Sequence, residues 1–441
     1  MACNASKAPF LRLVSTRGYA AQAAAKVGAK GDVQISTLPN KLVVATAESS
    51  LPVSRVSVLF RAGSRNESYE SLGASHMMRI VAGLSTKKSS SFAVCRNIQQ
   101  IGGSLSVSGD REAIIYTVET TSDKLETGLR FLQDVATQPA FKPWELNDSV
   151  PRLKVDLASV SDQVLAVELL HKAAYRTGLG NSVFCPKYQV GKLSAETLQH
   201  FYNANYTSNR CAVVGVGVDH RLLSGFAQDF AIESGEGKTA AAKYYGGELR
   251  KDKAGGSAHV AIGGSGASLS NAKETATFAV LQQAAGVGRS CTYGNINGAV
   301  GKAVNNAVGG TPFELTTVNA AYTDAGVFGV LISVDARQAG KAVEAVAKTL
   351  KSGSITTDDV ARGKALLKAA ILCNNGTDGG RLSDIGLQAL LTGNVKSSEE
   401  LVAAVDAVSH ADVCAALKKA ASNLSMGAVG NLASVPYLSD L

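Results

Sequence analysis

Nowhere in the 441 residues does an apolar run approach the 18 or more positions that a membrane-spanning helix requires, so any membrane association has to come through partners. The seven cysteines, Cys3, Cys95, Cys185, Cys211, Cys291, Cys373 and Cys414, are scattered without a single C-x-x-C. That excludes a zinc or redox motif and a C-x-x-C-H haem attachment site, and an odd, dispersed set fits a reducing compartment such as the mitochondrial matrix. No G-x-S-x-G nucleophile elbow occurs. Gly237-Lys238-Thr239 imitates the end of a phosphate-binding loop, but Ile232 stands where its first glycine is needed. Gly215-Val216-Gly217 lacks the third glycine of a dinucleotide fingerprint and reads as the end of a buried strand. His171, His200, His220, His259 and His410 show no ligand spacing. No cofactor is expected.

The first 31 residues lack any acid. Lys7, Arg12, Arg17, Lys26 and Lys30 all precede Asp32 and account for +5 of the chain's +8, leaving an ordinary +3 for the remainder. These basic residues are interleaved with Phe10, Leu11, Leu13 and Val14 instead of forming a block, which favours a mitochondrial presequence over a nucleic-acid arm. Arg17-Gly18-Tyr19-Ala20 reads as its cleavage signal, with the mature chain starting at Ala20.

What is present is a chain with 45% apolar and 18% charged residues, enough to bury large cores and too long for one. An order of elements occurs twice. Ile101-Gly102-Gly103-Ser104 leads into the alternating run 114–119, a helical stretch from Asp123 to Val135 and a further amphipathic helix from Pro143 to Val160. Val308-Gly309-Gly310-Thr311 leads likewise into Phe328–Val334, then helical stretches from Ala336 to Leu350 and from Thr356 to Cys373. The fold class expected is α+β, with two homologous domains, each a mostly antiparallel sheet covered by helices on one side, facing across a crevice. The polar, Gly-rich stretch after Glu233 reads as the linker. The expected division is 1–19 presequence, 20–34 N-terminal extension, 35–232 first domain, 233–247 linker and 248–441 second domain. Ala285-Gly286-Val287-Gly288-Arg289 is either a flexible loop over a peptide or, the favoured reading, a helix stop after the apolar run Phe278–Leu281.

One further absence carries the functional argument. His76-Met77-Met78-Arg79-Ile80 has the frame of an H-x-x-E-H zinc helix, in which two histidines hold the metal and the glutamate takes a proton from bound water. Arg79 stands at the base position and can accept no proton; Ile80 stands at the second ligand position and has no lone pair. The helix itself is expected to be capped by Ser71 and to bury Met77, Ile80, Val81 and Leu84.

In the order in which they fall, these segments resemble the pitrilysin and mitochondrial-processing-peptidase superfamily, and within it the core proteins of the mitochondrial ubiquinol-cytochrome c reductase. The resemblance runs from Gln34 to the C terminus. It is carried by Gly73–Arg79, Gly102–Val107, Tyr116–Glu119, Cys185-Pro186-Lys187-Tyr188, Ala321–Gly329 and Gly430-Asn431-Leu432. The family's third zinc ligand is a glutamate roughly eighty residues after the first histidine, yet none lies between Leu146 and Val167, where the acids are Asp148, Asp156 and Asp162. The expected sets of catalytic, metal-binding and cofactor-binding residues are therefore empty, with His76 binding no metal. The resemblance implies a non-catalytic subunit on the matrix side of the inner membrane. It would pair with a homologous core protein one and support cytochrome b, cytochrome c-type and Rieske subunits. The second reading is a non-catalytic or regulatory partner of a mitochondrial processing metallopeptidase.

Overall fold

The computed structural model describes residues 33–237, 239–286, 288–290, 298–353 and 355–441. The expected presequence and nearly all of the N-terminal extension lie outside them, as do Lys238 of the linker and Val287 of the glycine-rich stretch.

Two six-stranded sheets organise the chain. The first consists of β1 (Gln34–Thr37), β2 (Val43–Ala47), β3 (Val53–Phe60), β4 (Ser104–Gly109), β5 (Ile114–Thr121) and β6 (Cys211–Val216), in the order β1-β2-β6-β3-β5-β4. The second consists of β7 (Gly247–Asp252), β8 (Ser257–Ser265), β9 (Gly288–Ser290), β10 (Phe313–Ala321), β11 (Gly326–Asp335) and β12 (Ser425–Gly430), in the order β7-β12-β8-β11-β10-β9. Each has one parallel pair, β2 with β6 and β7 with β12, and is otherwise antiparallel. Aligned on those parallel pairs, five strands of each sheet correspond in order and direction. The sequence repeat is thus a repeat of topology.

The first five helices of each half follow the same duplication. The first half contains α1 (Ala74–Val81), α2 (Ser91–Gln100), α3 (Leu125–Thr137), α4 (Pro143–Ser159), α5 (Asp162–Tyr175), α6 (Ala195–Asn205) and α7 (His220–Gln228). The second contains α8 (Ala272–Ala285), α9 (Ala299–Val308), α10 (Ala339–Ser352), α11 (Thr357–Asn375), α12 (Asp378–Thr392), α13 (Ser398–Asp406) and α14 (His410–Ala421). α8 stops at Gly286, whose φ of 102° suits a residue without Cβ, so the helix-stop reading holds there. Gly215 and Val216 likewise end the fully buried β6, and Gly217 turns away at φ 72°.

The expectation of helices on one side of each sheet needs correction. β5 alternates buried and partly exposed residues, as a half-covered strand should, but every residue of β6 and β12 is buried. The reason is an exchange of helices. α12, from the second half, lays Leu382, Ile385 and Ala389 on Leu59, Val214 and Val216 of the first sheet. α5, from the first half, lays Ala166, Leu170 and Ala174 on Ala261, Val327 and Val429 of the second. The approach of α5 is close enough that a Cβ on Gly427 would stand 2.4 Å from the carbonyl oxygen of Ala166.

Polar contacts lock the same seam. Arg65, 4% exposed at its side chain, pairs with Glu112 at 2.7 Å and with Asp324 of the second half at 2.6 Å. Glu112 also accepts from the hydroxyl and the backbone N–H of Thr323. Between the sheets, Ala240 accepts from Arg65 and the N–H of Ala242 donates to Asp324, so the stretch expected as a linker is bonded to both halves.

A collapsed zinc-peptidase site

α1 starts at Gly73, in the left-handed conformation with φ 89°, where a Cβ would lie 2.6 Å from the sulfur of Cys185. Ser71 does not cap the helix; its hydroxyl turns back to Ser68. The cap is Glu67, which sequence reasoning missed. One carboxylate oxygen accepts from the N–H of Gly73 at 2.9 Å, and the other from the N–H and hydroxyl of Ser75 at 2.8 and 2.6 Å. A carboxylate at this end is favoured by the helix dipole. Burial nevertheless pushes Glu67 up to about 7, against the downward pull of those donors and of Arg79. Along the helix Met77, Ile80 and Val81 are buried as expected, whereas Leu84 lies in the turn beyond its end.

His76 is fully buried, and its two ring nitrogens are both engaged. Nδ1 accepts from the backbone N–H of Cys185 at 3.0 Å, which leaves the proton on Nε2 to be donated to Asp156 at 2.6 Å. The ring meets Phe184 edge-on. Burial holds the imidazole pKa below its ordinary value, opposed by the bond to Asp156 and assisted by the charge of Arg79. The fold therefore brings Asp156, eighty residues further along the chain, directly against His76.

A metal does not fit between them as they stand. Two tetrahedral zinc ligands with bonds of about 2.0–2.1 Å lie roughly 3.3 Å apart, whereas His76 and Asp156 are 2.6 Å apart and share a proton. Arg79 adds a fixed cation to the same neighbourhood, although burial lowers its pKa against the opposing pull of Asp156, Glu67 and Glu168. Ile80 belongs to the first core and offers no donor. Among the described residues no group of three or more His, Cys, Asp or Glu is arranged to hold a metal.

The former catalytic frame instead holds a strap. Arg79 donates to the carbonyl of Val183 at 2.8 Å, Glu168 accepts from the N–H of Val183 at 3.1 Å, and His76 accepts from Cys185. Glu168 is itself fixed by Arg111 at 2.7 Å. The Cys185 thiol is buried and pushed up to about 11 by desolvation, so it is no nucleophile. Of the remaining histidines, His171 bridges the halves: Nδ1–H donates to Val167 and Nε2 accepts from the Tyr322 hydroxyl. His220, His259 and His410 bond to Ser36 and Thr46, to Ser333 and to the carbonyl of Ile355 respectively.

Two duplicated α+β halves around a degenerate H-x-x-E-H helix define a pseudo-peptidase of the M16 type. Family models agree: residues 42–187 match Insulinase (Peptidase family M16), and residues 192–367 match the Peptidase M16 inactive domain. Among similar proteins, cytochrome b-c1 complex subunit 2, mitochondrial, of Rattus norvegicus is 38% identical over 93% of this chain and 92% of its own. The Homo sapiens protein of that name is 36% identical over the same shares. Mitochondrial-processing peptidase subunit alpha of Solanum tuberosum is 29% identical over 91% of this chain and 83% of its own. The chain belongs to peptidase family M16 and, within it, to the cytochrome b-c1 complex subunit 2 group.

Proposed function

We propose that this protein is a non-catalytic structural core subunit of the mitochondrial cytochrome b-c1 complex, the ubiquinol-cytochrome c reductase of the respiratory chain. The observation that carries the reading is the use of His76 and Arg79 as struts for Val183–Cys185 in place of a zinc-water centre. Its catalytic, metal and cofactor sets are empty, and its role is to stabilise the electron-transfer assembly. The chain pairs with a homologous core protein one and contacts the cytochrome b, cytochrome c-type and Rieske subunits; it engages no nucleic acid. Among the described residues no helix is long and apolar enough to cross a membrane. Attachment to the matrix face of the inner membrane is accordingly peripheral and runs through partners. A presequence over 1–19, an extension over 20–34 and domains over 35–232 and 248–441 joined through 233–247 complete the reading.

The test is co-purification. A C-terminal tag on the chain, in mild detergent, brings down material with b-type and c-type haem absorption together with a second M16 chain. Recovery of a colourless monomer under the gentlest extraction overturns the proposal, and recovery with an active processing-peptidase subunit and no haem favours the second reading.

A further inference from the structure

A cavity of about 570 Å³ opens beside the strap, between the end of α4, the length of α5 and strand β7 of the opposite half. Its wall is apolar, with Leu157, Leu165, Leu169 and Phe184 contributing the largest side chains. Its edge is basic: Lys172, Lys187, Lys251 and Lys253 all line it. The two acids that also line it are already neutralised, Asp162 by Lys253 at 2.8 Å and Glu168 by Arg111 at 2.7 Å. Lys172, Lys187 and Lys251 are exposed and make no ion pair among the described residues. Three uncompensated cations therefore surround a greasy interior within the size range of small-molecule sites.

We infer that this cavity binds a long-chain fatty carboxylate, its alkyl tail on α5 and Phe184 and its head among Lys172, Lys187 and Lys251. Each half of that chemistry excludes an alternative. A small hydrophilic anion gains nothing from Leu157, Leu165 and Leu169, and removing apolar surface from water is the main favourable term for a tail. A basic amphipathic peptide, such as this chain's own acid-free first 31 residues, meets three like charges at the rim. Lysine ammonium groups on flexible stems suit a carboxylate head at a solvent-facing edge. Because β7 supplies Lys251 and α5 supplies Lys172, the bound carboxylate also bridges the two halves. The inference concerns a ligand of this chain and does not depend on which complex the chain joins.

Displacement of a fluorescent stearate analogue from the purified full chain by oleate tests it, with oleyl alcohol and a basic amphipathic peptide as competitors. Oleate is expected to compete at one site per chain, and the alcohol at least about tenfold more weakly. The triple variant Lys172→Ala/Lys187→Ala/Lys251→Ala is expected to lose about tenfold in oleate affinity, with the loss shrinking as salt rises. Leu165→Arg fills the apolar wall and abolishes binding; circular dichroism and a thermal melt check that both variants fold. Non-saturable uptake, equal competition by the alcohol, unchanged affinity in a folded triple variant, or tight binding of the peptide overturns the inference.

Discussion

Replacing Arg65 with alanine should loosen the joint between the two halves before it unfolds either. The guanidinium is 4% exposed and holds two carboxylates, Glu112 at 7% exposure and Asp324 at 35%. Removing one partner of a buried pair costs about 3–5 kcal/mol, because the other charge is left desolvated without compensation. The lower end applies here, since Glu112 retains both donors of Thr323 and Asp324 can be hydrated. A loss of about 3 kcal/mol is therefore expected in urea unfolding of the full chain. The single tryptophan, Trp144 on α4, reports the first half, while far-UV circular dichroism reports both. In the native protein the two transitions should coincide; in Arg65→Ala they should separate, because the seam fails first. Adding Glu112→Gln removes the stranded charge and should recover more than half of the loss, the signature of direct coupling. A loss under about 0.5 kcal/mol, with transitions still superimposed, would falsify the account of the network as a clamp.

Glu67 gives a pH-dependent prediction. Its pKa is raised from 4.5 to about 7 by burial, so the folded chain keeps a proton that the unfolded chain releases. The stabilisation is full below pH 4.5 and is lost as pH rises through about 7, an effect of about 3 kcal/mol. In Glu67→Gln that slope should vanish when unfolding free energies are compared at pH 5 and pH 8; parallel curves would sink the assignment. His171, pushed down to about 3 by burial, acts in the opposite direction, losing stability as pH falls below 6.5, and cancels in the difference. The metal prediction is that the dialysed chain carries less than about 0.1 zinc, while Arg79→Glu/Ile80→His/Asp156→Glu, which restores base and ligands, gains about one. About one zinc in the unaltered chain, lost on His76→Ala, would refute the collapsed-site reading.

What the sequence made legible followed periodicity and chemistry local to a few residues. The strand-and-helix repeat was readable because a half-covered strand such as β5 alternates and a covering helix such as α3 keeps its three-and-four spacing. The loss of metal chemistry at Arg79 and Ile80 was readable because it depends on what those side chains are, not on where they sit. The exchange of α5 and α12 was hidden, since an apolar helix face does not say which sheet will cover it. The local hint lay in β6 and in Met426–Gly430 of β12, whose unbroken apolar and glycine character demands cover on both faces.

Glu67 and Glu168 were missed for a different reason. Each accepts from backbone groups, Glu67 from the N–H of Gly73 and Ser75 and Glu168 from that of Val183, and backbone donors leave no trace in residue identity. An acid six residues before a glycine that opens a helix was the available signal for Glu67, once Ser71 is recognised as already engaged with Ser68. The same geometry explains how a peptidase frame can lose its chemistry and keep its shape. His76 needs only an acceptor to satisfy its proton, and Asp156 supplies it. Arg79, useless as a base, reaches a carbonyl that a glutamate could not bond, because a carboxylate offers Val183 no N–H. An arginine at this position, which cannot take a proton from water, is therefore also the residue that fastens Val183, and with it the wall of the lysine-rimmed cavity.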